Sequence, residues 1–190
     1  MSDFRYGTKE IIATVCGCIL IVCERLFVMW LSSKGIIDER VFDWVRLRVL
    51  IVAMAATFFG PICGCITGLG GGLLVSVIFS NDISYTGLFV LGFYGFFIGL
   101  YFGKKHYDKG HFTIRTFCDF NAVQIMVGIL CSIFLIPLFE FMINDTDLYE
   151  GVMSGTKRAM ANIVTVGLLC PPVMLIVSRF VTDKGKSRNT

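Results

Sequence analysis

Phe58-Phe59-Gly60-Pro61-Ile62-Cys63-Gly64-Cys65-Ile66-Thr67-Gly68-Leu69-Gly70-Gly71-Gly72 joins two apolar runs with almost no polar side chain between them. Gly60-Pro61 reads as a turn and a helix restart, because proline fixes its own φ and suits the first turn of the next helix. In water a glycine-rich apolar reversal of this kind is an aggregation hazard. Inside a bilayer it is a tight turn between packed spans. A short second span is therefore read at about residues 44–59 and a third at 61–79. The Gly70-Gly71-Gly72 run predicts a weak or broken helix within the third.

The chain outside this stretch is equally apolar. Of 190 residues, 55% are hydrophobic and 16% charged, and the mean hydropathy is +0.76. Those values lie outside the range of soluble domains and inside that of polytopic membrane proteins. A span takes ~20 mostly apolar residues, so the length suits about six short-looped helices and no separate soluble domain. The others fall at about residues 11–32, 85–103, 114–143 and 151–180, with a kink expected at Pro137 and an interruption at Pro171-Pro172. No signal peptide is read at the amino end, since Glu24-Arg25 interrupts the first run and no small-residue cleavage site follows. The net charge of +3 fits basic loops of a membrane protein, and no nucleic-acid partner is inferred from it.

Loop charges set the expected orientation. Arg5, Lys9, Lys104, Lys105, Lys109, Arg115, Arg179, Lys184, Lys186 and Arg188 sit in the amino end, the 104–115 loop and the tail, whereas the loops at 80–84 and 144–150 hold no Lys or Arg. The positive-inside rule then places both termini in the cytoplasm. The 33–43 loop departs from the pattern with Lys34 and Arg40, accompanied by Asp38, Glu39 and Asp43. The expected fold is all-α, a six-helix integral membrane bundle in one transmembrane domain.

With that orientation the charges in or beside spans fall at one level. Glu24-Arg25 stands roughly 20 Å up the first helix from Lys9. Arg46 and Arg48 open the second helix, Glu140 and Asn144 close the fifth, and Lys157, Arg158 and Asn162 lie in the first turns of the sixth. Ionisable groups in spans are costly and usually face a cavity or a partner, so an outward-facing polar pocket is expected, with Asn81 and Tyr85 at its mouth. Each residue has a plainer role open to it. Arg46 and Arg48 could snorkel to headgroups, Glu24 could form a structural ion pair with Lys157, and Tyr85 could be an interfacial aromatic. Asn121 and Gln124 read as interhelical hydrogen bonds. The eight cysteines lie within apolar runs and read as small buried hydrophobes, a thiolate metal site being the alternative. No nucleophile–base pair or phosphate-cradling loop is present, so no enzyme, cofactor or resident metal is inferred.

Several stretches resemble the substrate-binding S components of energy-coupling factor (ECF) vitamin transporters, in the riboflavin-type branch. They are Ala13-Thr14-x-x-Gly17, Ala56-Thr57-Phe58-Phe59-Gly60-Pro61-x-x-Gly64-x-x-x-Gly68, Asp119-Phe120-Asn121-x-Val123-Gln124, and the opening of the sixth span from Gly151 to Asn162. The similarity covers about residues 10 to 180. It implies a multi-pass protein of a prokaryotic cytoplasmic membrane, surrounded by lipid, that captures a vitamin or related micronutrient from outside. Its partners would be a transmembrane coupling subunit and two cytoplasmic ATPases, with Ala13 and Gly17 as the small-residue docking pair. The branch usually has uncharged residues in place of Glu24-Arg25 and glutamines near Arg46 and Arg48. The resulting cationic surplus (Arg25, Arg46, Arg48, Lys157 and Arg158 over Glu24 and Glu140) points from a riboflavin-like ligand toward one with carboxylate or phosphate character. An intramembrane lipid-modifying enzyme and a membrane scaffold or sensor are the competing readings.

Overall fold

A computed structural model describes residues 7–35, 47–79, 85–102 and 114–186. Their apolar runs are helical throughout: α1 (Thr8–Ser33), α2 (Leu47–Phe59), α3 (Pro61–Phe79), α4 (Tyr85–Phe102), α5 (Ile114–Ile129), a π segment (Leu130–Leu135), α6 (Ile136–Asn144) and α7 (Leu148–Lys186). The α5, π and α6 segments continue as one rod, so the described residues form six rods and no strand. By length and composition four stretches can cross a membrane, Thr8–Ser33, Pro61–Phe79, Tyr85–Phe102 and Cys118–Asn144. The described part of α2, 13 residues, is a shorter apolar helix.

The reversal at Gly60 follows from its chemistry. Gly60 adopts φ of 92°, a left-handed conformation that glycine takes without a Cβ penalty. Its N–H donates to the Ala56 carbonyl at 3.0 Å, and Gly64 N–H donates to the Gly60 carbonyl at 3.1 Å. The chain thus leaves α2 and enters α3 with one hydrogen bond closing each helix end. Beyond the turn the two helices separate by little, since a Cβ on Gly64 would lie 2.5 Å from Ala56 Cβ.

The remaining packing fixes direction. Thr14 donates to Cys63 Sγ at 3.2 Å, a Cβ on Gly17 would meet Thr67, and one on Gly71 would meet Ile21, so α1 and α3 run parallel. The α4 helix returns antiparallel, with Gly64 against Gly95, Gly72 against Leu88 and Pro61 against Gly99. The α5–α6 rod rises again, Phe102 set at a tilt against Phe120 and Phe89 stacked on Phe139. Finally α7 descends, with Gly151 against Pro137 and Gly155 against Ser132. The core forms where these rods meet, around Ile21, Val52, Ala53, Ala56, Tyr94, Ile98, Phe120, Cys131 and Val166.

Two local expectations change, at the glycine run and at Pro171-Pro172, and the one at Pro137 takes a specific form. Gly70-Gly71-Gly72 does not break α3. Side chains of neighbouring rods (Ile21 over Gly71, Leu88 over Gly72) occupy the space a Cβ would need, and that packing outweighs the ~1 kcal/mol propensity cost per glycine. Pro137 acts through the π segment before it. Proline has no N–H and its ring crowds the carbonyl four residues back, and the rod widens there, Ile136 N–H donating to the Cys131 carbonyl five residues back. Pro171-Pro172 does not interrupt α7, which continues to Lys186. The buried stripe of Ala159, Asn162, Val166 and Cys170 carries that helix against its neighbours up to the prolines, and packed helices tolerate proline where neighbours hold them.

Candidate functional site

The alternating directions gather six helix ends at one pole: the last turns of α1, α3 and α6 and the first turns of α2, α4 and α7. The Gly60 turn is at the other. The first pole therefore holds Glu24, Arg25, Arg48, Tyr85, Glu140, Lys157 and Arg158. Arg46 and Asn81, with most of the loops expected to close over a ligand, lie outside the described residues.

Two charged groupings stand at this pole. Glu24 is half-buried on α1 and interacts electrostatically with Arg48 of α2 and with its neighbour Arg25. On the other side Arg158 Nη2 lies 3.4 Å from Glu140 Oε1, with side chains 29% and 12% exposed. Helical side chains lean toward their own N-termini. In antiparallel rods that tilt sends Glu140 and Arg158 toward each other, so an α6 residue and an α7 residue from different turns can meet. Breaking this pair strands a poorly solvated charge. Glu140→Ala is expected to cost about 2 kcal/mol, and Arg158→Ala in the same background to cost far less than Arg158→Ala alone, measured by thermal melting as a double-mutant cycle. Strict additivity would contradict the coupling.

Lys157 is placed differently from its neighbour. It is exposed, and Ala159 and Asn162 rather than Lys157 face the bundle. Among the described residues α1 packs on α2 and α3 and does not touch α7. A Glu24–Lys157 ion pair is therefore not made. Tyr85, 51% exposed, stands at the rim of α4. Gly17 is buried with its Cα face against Thr67, which leaves half-buried Ala13 as the more open member of the small-residue pair.

Asn162 is 9% exposed and its Oδ1 has no hydrogen-bond partner. Three hydroxyls missed by sequence reasoning share that condition: Thr67 Oγ1 of α3, Thr86 Oγ1 in the first turn of α4 and Ser132 Oγ in the π segment. A buried polar atom without a partner is costly and marks a place where a ligand or water completes the bonding. Phe139 stacks at 5.5 Å on Phe89 and at 6.2 Å on Phe93, giving the α4–α6 contact a row of flat rings. Ser132 was detectable only through the π geometry, which propensities do not report. Among the described residues no group of three His, Cys, Asp or Glu is placed to hold a metal. The eight cysteines are free, Cys63, Cys131 and Cys170 buried and Cys16, Cys23 and Cys118 exposed.

Residues 41–179 match the family described as ECF-type riboflavin transporter, S component. The chain belongs to the ECF S-component family. Similar proteins named UPF0397 protein occur in Streptococcus gordonii (25% identical over 183 residues, 96% of this chain and 95% of the relative) and in an Exiguobacterium (27% over 165 residues, 86% of each). A third, from Lactobacillus delbrueckii, is 30% identical over 124 residues, 65% of this chain and 67% of the relative. No solved structure matches significantly. S components are substrate-binding subunits of membrane transporters, not enzymes, and they associate with ECF transmembrane and ATPase subunits. This S component is accordingly a multi-pass protein of the cell membrane.

Proposed function

We propose that this S component captures a planar, vitamin-class micronutrient from outside the cell at the Glu140 pole, a flavin-like ring being the first candidate and an anionic substituent favoured. The observation that carries the reading is Asn162: a buried amide oxygen without a partner, one turn from the Arg158–Glu140 pair. The helices at this pole carry Arg25, Arg48, Lys157 and Arg158 beside Glu24, Glu140 and Glu150, with Asp145 and Asp147 in the connecting turn, and the four cations support an anionic group on the ligand. Flat rings at Phe89, Phe93 and Phe139 offer the stacking a planar heterocycle uses. The basic amino end and tail support a cytoplasmic location for both termini, with all six rods crossing the membrane and the Glu140 pole outside. Binding would occur there, and the coupling and ATPase subunits would drive release within.

The test is a melting panel of purified protein against riboflavin, its phosphate ester, a pterin, a pyrimidine, cobalamin and a cationic vitamin. One compound at a hundred times its Kd raises stability by about 2.7 kcal/mol. The expected result is a shift with an anionic or flavin-like member. A shift only with the cationic vitamin would overturn the charge reading, and no shift with any member would count against capture of this class.

A further inference from the structure

Gln124 on α5 is 1% exposed, yet its Nε2 has no hydrogen-bond partner. The rest of that amide is held, because the Tyr94 hydroxyl of α4 donates to Gln124 Oε1 at 3.5 Å. One turn earlier on α5, Asn121 Oδ1 is also buried and without a partner. Both atoms converge on the same point of α7. A Cβ built on Gly167 would lie 3.4 Å from Gln124 Nε2 and 3.5 Å from Asn121 Oδ1, and it meets nothing closer. Unlike Gly64 or Gly95, Gly167 is therefore not demanded by helix packing, since an alanine there makes ordinary contacts. What the point offers is one free donor and one free acceptor beside the notch left by the missing side chain. It is separate from the charged pole. Gly128 faces Ile163 and Gln124 faces Gly167, which puts the notch more than a turn beyond Asn162 toward the Gly60 turn.

We propose that the notch over Gly167 is a binding niche for one small neutral hydroxyl-type group, which accepts from Gln124 Nε2 and donates to Asn121 Oδ1. In a lipid-embedded bundle no bulk water reaches these atoms, and an occupant with both capacities satisfies them together. That chemistry has two sources, an ordered internal water or a hydroxyl carried by a bound substrate.

The experiment uses the full chain in detergent as wild type, Gly167→Ala and Gly167→Ser, melted without additive and with riboflavin as the probe. Alanine fills the notch with a methyl and expels the occupant, so Tm should fall by about 4 °C although alanine is the better helix former. Serine carries its own hydroxyl into the notch and should recover most of the loss. A deficit already present without additive identifies water as the occupant, and one that appears only with riboflavin identifies a substrate hydroxyl. An alanine variant that melts at or above wild type in both conditions would overturn the niche. So would equal losses for alanine and serine, which would mean simple crowding.

Discussion

Gly95→Leu is expected to leave no folded S component. At this position α3 and α4 touch backbone to backbone: a Cβ on Gly95 would run into the Gly64 carbonyl and lie 2.7 Å from Val52 Cγ1. Neither obstacle can rotate away, since one is main chain and the other belongs to a core held by Val52, Ala53 and Ala56, each 0% exposed. Three rods (α2, α3 and α4) meet there, and the α3–α4 contact is the most extensive among the described residues. Overpacking of a tight core typically costs 1–3 kcal/mol. Gly95→Ala should sit at about 3 kcal/mol, and Gly95→Leu should exceed the whole stability of the bundle. The check is size-exclusion profile and melting in detergent, with Gly70→Ala as the control, because a Cβ there meets only Cys18 Sγ at 3.3 Å. A monodisperse Gly95→Leu protein with wild-type Tm would show that the crossing is not as close as described.

Asn162→Leu is expected to move stability and binding in opposite directions. Its buried Oδ1 has no partner within the chain, so an apolar replacement of similar size removes a desolvation cost and should raise the Tm measured without added compound by about 3 °C. The same change deletes the group proposed to meet the ligand. Affinity for whichever panel compound stabilises the wild type should fall about 30-fold, equivalent to ~2 kcal/mol. A structural asparagine would behave otherwise, losing stability without a specific loss of binding. Melting curves with and without the compound, together with titration calorimetry, separate the two. Unchanged affinity in a stabilised variant would remove Asn162 from the site.

The rods were readable from composition and hydropathy because each satisfies its own backbone and needs only an apolar surface of sufficient length. The Gly60-Pro61 reversal was readable for a local reason, since the left-handed φ and the proline restart both belong to the dipeptide itself. Alternation of direction followed from six rods with short links, which is why Glu24, Arg48, Glu140 and Arg158 could be assigned to one end. What was not legible depended on neighbours. Gly70-Gly71-Gly72 looks like a break until Ile21 and Leu88 are seen filling two of the gaps. Lys157 and Arg158 are adjacent in sequence, yet the 100° between successive helical residues turns one outward and leaves the other paired with Glu140. Gln124 looks like a routine interhelical donor, and only the position of Gly167 shows its nitrogen to be unmet. The pairing of Ser132 with Gly155 depends on a π segment that no residue preference announces.

Native mass spectrometry of the protein released gently from detergent tests substrate capture most directly. The expected spectrum carries, beside the 21.2 kDa chain, a second species heavier by one small molecule of vitamin size, whose share falls sharply in Asn162→Leu. Bare chain in every preparation, including those supplied with the full panel of vitamins, would contradict it.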